Sequence, residues 1–132
     1  MIEWINFVGR KRPIVFSNGT YLLFAHVMGL DEKAMTAKTT FSPYEMYAMI
    51  FAGFKQGHID KGIDFEYSSL GGFIDVSNDN PDDFALAAEV FSSDIKRREA
   101  ALEVATELLE DQVEVEEGVE PKKEPVDSQT TT

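Results

Sequence analysis

A chain of 132 residues fits a single domain, and the lack of any cysteine excludes disulfide scaffolds, thiolate zinc sites, iron–sulfur clusters and thiol catalysis. The 24 acidic and 12 basic side chains leave a net charge of -12, a field that repels phosphate backbones and anionic membrane surfaces, so neither nucleic acid nor membrane is an expected partner. Ten Phe, four Tyr and one Trp in a 43% hydrophobic composition supply ample core material.

At the N-terminus, Ile2, Trp4 and Val8 alternate with Glu3, Ile5 and Phe7, and Pro13 to Phe16 form a second apolar run beyond the basic turn Gly9-Arg10-Lys11-Arg12. This predicts a β-hairpin. Ser17 or Asn18 caps a first helix ending at Gly29, with Tyr21, Leu22, Phe24, Ala25 and Met28 at helical spacing. His26 falls inside this helix as an expected packing residue. The strongest helix start is Ser42-Pro43-Tyr44-Glu45: Ser as N-cap, Pro at the first position and Glu closing a capping box, with Phe41 and Met46 as a hydrophobic staple. Tyr44, Tyr47, Ala48, Ile50, Phe51 and Phe54 follow. They predict a central helix of about 15 residues, buried on more than one side and stopping at Gly57 or Gly62.

Leu70, Phe73 and Ile74 predict a short helix despite Gly71 and Gly72, and Asn80-Pro81-Asp82-Asp83 open another through Phe84, Ala87, Ala88 and Phe91. From Asp94 to Glu110 helical propensity persists, and Ala88, Ile95, Leu102 and Leu109 recur every seven residues. One long amphipathic helix awaiting a partner is therefore expected. Residues 110–132 hold eight acids and two lysines and lack aromatics; order is expected to fade from about residue 113. The sequence thus predicts an α+β, predominantly helical fold: a single globular domain over 1–109, with an N-terminal β-hairpin and four or five helices, and a disordered acidic C-terminal tail over 110–132.

Chemistry is sparse. His26 and His58 are the only histidines and open no His-x-x-x-His pattern. His58 beside Asp60 is expected at a solvated helix end. Residues 75–83 have the acid density of a calcium loop but lack the central Gly and distal Glu of an EF-hand. The glycines form no phosphate loop. Arg10-Lys11-Arg12 and Lys96-Arg97-Arg98 are expected to be solvated basic patches. No nucleophile or paired-carboxylate setting is recognisable, so the chain is expected to be non-enzymatic and to need no cofactor or metal. With no apolar run approaching the roughly 20 residues of a membrane span and Glu3 near the N-terminus, it reads as soluble and cytoplasmic.

The run Phe41-Ser42-Pro43-Tyr44-Glu45-Met46-Tyr47-Ala48-Met49-Ile50-Phe51-Ala52-Gly53-Phe54-Lys55-Gln56-Gly57 carries a resemblance, with the spacer ending Gly62-Ile63-Asp64-Phe65, then Gly72-Phe73-Ile74-Asp75, then Pro81 and its helix to Phe91. Over about residues 2–92 this order resembles the tail assembly chaperones of long-tailed bacteriophages. Ser17-Asn18-Gly19-Thr20 departs from their usual Asn-Ala-Leu opening, as does the charged extension after Phe91. The resemblance implies a protein that binds the tape measure protein, keeps it soluble and promotes assembly of tail tube protein around it. It implies action in the host cell cytoplasm and absence from the mature virion. It also implies self-association, or association with a longer form made by ribosomal frameshifting. Client contact or self-association is expected from Ile50, Phe51 and Phe54, or from Phe84, Phe91, Ile95 and Leu102. The alternative is an acidic regulatory or charge-mimicking adaptor that binds a basic partner protein.

Overall fold

The computed structural model describes residues 1–38 and 40–119, with side chains placed up to Leu109 except that of Thr36. The fold is mostly helical behind an N-terminal hairpin. Strands β1 (Glu3–Phe7) and β2 (Arg10–Ile14) are followed by helices α1 (Asn18–Met28), α2 (Glu32–Thr36), α3 (Pro43–Lys61), α4 (Leu70–Asn78) and α5 (Pro81–Val119). The chain divides into two compact units, Met1–Asp94 and Ile95–Thr132.

The strands are antiparallel, with Ile5 opposite Arg12 and Phe7 opposite Arg10. The expected four-residue basic turn is in fact a two-residue turn, Val8-Gly9, and Arg10 to Arg12 lie in β2. Both turn residues have positive φ, 51° at Val8 and 82° at Gly9. Such a turn matches the strand twist, but a β-branched residue is poorly suited to its first position. The Val8 N–H donates to Asp83 Oδ2 at 2.9 Å, which ties the turn to the start of α5.

Helix α1 starts after Ser17, whose N–H donates to the Thr20 hydroxyl; that hydroxyl in turn donates to the Val15 carbonyl at 2.6 Å. It ends at Gly29, as the sequence predicts, with φ 69°. Helix α2 was not expected from the sequence. Asp31 caps it by accepting the Ala34 N–H at 2.7 Å. The predicted capping box of α3 is present: Ser42 Oγ accepts the Glu45 N–H and Glu45 Oε1 accepts the Ser42 N–H. Lys38 pairs with the same Glu45 carboxylate.

Helix α3 has 19 residues, longer than expected, and stops at Gly62 with φ 67°. Gly57 lies inside it for a packing reason. A Cβ there would collide with the Pro13 carbonyl oxygen, and one at Gly53 would meet the Phe16 ring. These two glycines, one turn apart on a single face, let β2 lie backbone to backbone on α3, and the Val15 N–H reaches the Gly53 carbonyl at 3.2 Å.

The core is built from rings. All ten phenylalanines make ring contacts. Phe7 lies 4.8 Å from Phe54 and is stacked on Phe73, and Phe51 also meets Phe73. A second group joins Phe16 to Phe91, and Phe41 to both Phe24 and Phe91. Helix α4 is capped by Ser69, which accepts the Gly72 N–H. Asn80 precedes α5, but its side-chain amide turns back to the Val76 carbonyl instead of capping the new helix. Asp82 and Asp83 provide the acids of the first turn. Helix α5 continues to Val119, past the point where order was expected to fade. The rest of the expected tail, residues 120–132, lies outside the described residues.

Candidate functional site

The two histidines exchange their expected places. His26 is exposed on α1, and His58 is buried on α3. His58 Nδ1 donates to the Phe54 carbonyl one turn back at 2.6 Å, and its ring lies 4.6 Å from that of Phe65. Burial is the main influence that holds its pKa below the ordinary value, with the Arg12 and Arg10 charges acting in the same direction. Asp60, its supposed partner, instead accepts the side-chain amide of Gln56 at 2.7 Å.

Arg12, expected in a solvated turn, is 2% exposed. Its Nε donates to the Phe7 carbonyl, and both terminal nitrogens donate to the two oxygens of Glu66 at 2.7 Å each. The guanidinium also lies over the Tyr67 ring. Arg10 adds a contact to Glu66 at 2.9 Å. The Arg12 fork brings the Glu66 pKa down to about 2. This cluster fastens the segment between α3 and α4 to the hairpin. Arg12, the buried member, is held by Phe7 and Glu66, so the cluster acts as a structural clasp.

The acid-rich run 75–83 forms the end of α4 and the start of α5. Among the described residues, no group of three or more His, Asp or Glu side chains is placed to hold a metal ion. No helix among them is long and apolar enough to cross a membrane.

The residues expected to contact a client separate by burial. Ile50, Phe51 and Phe54 are 0%, 2% and 0% exposed. They belong to the interior because α3 is covered by β2 on its glycine face and by the ring cluster elsewhere. Phe91 is also buried, against Phe16 and Phe41, and Phe84 is half-buried against Tyr47 at 4.6 Å. Ile95 is half-buried. Only Leu102 stands open, at 68% exposure. Val104, Leu108 and Leu109 on the same helix are more than half exposed as well. Val104, Leu108 and Leu109 are not among the expected contact residues, although the seven-residue spacing points to Leu109.

A second open feature lies on α1 and α2. Asn18, Tyr21, Leu22, Ala25, His26, Leu30, Glu32 and Met35 line a groove of about 580 Å³. Leu22 is 72% exposed beside it. The sequence pattern could not reveal this groove, because Glu32 and Met35 of its wall belong to the short helix α2. Its lining is mainly apolar, with one imidazole and one carboxylate, and is suited to holding an apolar side chain.

Comparison of the chain with protein-family models, with curated proteins and with solved structures finds no match.

Proposed function

We propose that this protein is a non-enzymatic tail assembly chaperone of a long-tailed bacteriophage, acting in the host cytoplasm. It binds the tape measure protein, keeps it soluble and promotes assembly of the tail tube around it. The observation that carries this reading is the set of large aliphatic side chains on α5, Leu102 and Leu109 on one face and Val104 and Leu108 on another, all more than half exposed on a chain of net charge -12. Apolar contact area suits a helical client, and the negative charge keeps the complexes apart. The resemblance over residues 2–92 supplies the identity of that client.

Co-expression with the product of a long helical reading frame next to this gene tests the reading. The intact chain should raise the soluble fraction of that product, and Leu102→Ser with Leu109→Ser should abolish the gain. An unchanged soluble fraction with the intact chain would remove the assignment. If deletion of residues 120–132 alone abolished binding, and added salt did the same, the acidic adaptor would take its place.

A further inference from the structure

We propose that α5 pairs with α5 of a second copy of this chain, antiparallel and centred between Leu102 and Ala105. Two features of the distal helix specify this partner. The first is the spacing. Ile95, Leu102 and Leu109 recur every seven residues, and Arg98 and Ala105 alternate with them at intervals of three and four, which is the spacing of a two-stranded coiled-coil seam with Arg98 as its one charged position among these five. Leu102 and Leu109 are 68% and 62% exposed on that seam, and Leu108 beside it is 61% exposed.

The second feature is the axial distribution of charge. Lys96, Arg97 and Arg98 are consecutive, whereas residues 99–119 contain eight acids and no base. A parallel pair would lay the two acidic stretches side by side at a spacing of about 10 Å, within reach of Coulomb repulsion at ordinary salt. The antiparallel pair brings the basic triplet of each copy beside the sequence around Glu107 and Glu110 of the other. In the same register Leu102 packs against the small Ala105 of the second copy, and Leu109 packs along the aliphatic stem of Arg98. The pairing covers the same Leu102 and Leu109 as the proposed client contact, so a second copy and a client compete for this face, and the association of the chain with itself is measured with no client present.

The cysteine-free sequence makes the test clean. Sedimentation equilibrium of the full chain at roughly 100 μM should show a dimer. Leu102→Glu, which removes the leucine from both copies at once, should raise its dissociation constant by at least about 100-fold. Because Leu102 is open in the single chain, thermal unfolding of this variant should match that of the parent at dilutions where both are monomeric. A spin label on Ser93→Cys then reads the orientation. Twenty-one residues of helix separate the two labels in the antiparallel register, a distance of about 30 Å, against less than about 20 Å for a parallel pair. A monomer at this concentration, a dimer indifferent to Leu102→Glu, or a short label distance would each overturn the proposal.

Discussion

The unit Met1–Asp94 and the helical unit after it solve opposite problems with similar material. In the first, aromatic rings are set against one another and a buried arginine is fully engaged by Glu66 and a carbonyl. In the second, the leucines of α5 remain open over several turns and the charged side chains outnumber them. The first unit therefore holds its shape through long-range contacts, and the second through intrahelical hydrogen bonds. An isolated helix of that length is marginal in water unless its apolar face is covered. Substitutions should accordingly act on folding in one unit and on association in the other.

The harshest way to challenge this contrast is Gly57→Ala. The added methyl meets the backbone of β2, which cannot yield as a side chain would, and a loss of about 3 kcal/mol is expected in chemical denaturation. Arg12→Met keeps much of the volume but leaves the Phe7 carbonyl without its donor and the Glu66 carboxylate with Arg10 in place of the two-pronged contact. About 2 kcal/mol should be lost, less than for a fully enclosed ion pair because Glu66 is partly solvated.

Acid should act on the first unit in two stages. The His58 pKa is lower in the folded state than the ordinary histidine value of 6.5, so the unfolded chain binds the proton more readily; stability is lost as pH falls below about 6.5. Glu66 is held at about 2 against 4.5, so its contribution is present above 4.5 and is lost between 4.5 and 2. Denaturation midpoints measured against pH should lose the upper stage in His58→Phe and the lower one in Glu66→Gln.

Val8→Asn tests the turn in the stabilising direction. Relief of the positive φ should raise stability by about 1 kcal/mol in the same assay. The mildest change sharpens the contrast: Leu109→Ala should shift the unfolding of the first unit by no more than about 0.5 kcal/mol, because the side chain is 62% exposed.

The parts of the fold legible in the sequence were those with local causes. Ser42-Pro43-Tyr44-Glu45 announces α3 through groups that satisfy each other within one turn, and Gly29 ends α1 through its own backbone freedom. The misreadings came from causes remote in sequence. Arg12 looks solvated until Glu66, 54 positions away, closes on it. The burial of His58 depends on Phe65 and on the carbonyl of Phe54, while its neighbour Asp60 suggested a wet helix end. Gly57 resembles a terminator unless the nearness of Pro13 is known. Helix α2 has too few residues for a periodic signal, so its groove was invisible as well. For the candidate surface, Leu102 was named from spacing alone. Ile50, Phe51 and Phe54 share its apolar character, and only packing separates them from it.

The bond from the Val8 amide to Asp83 spans 75 positions. During synthesis the hairpin emerges early, yet the acceptor that settles its awkward corner is not made until most of the first unit has been translated. Such a nascent chain would complete its fold late and all at once, with its earliest strands held waiting for the start of its last helix.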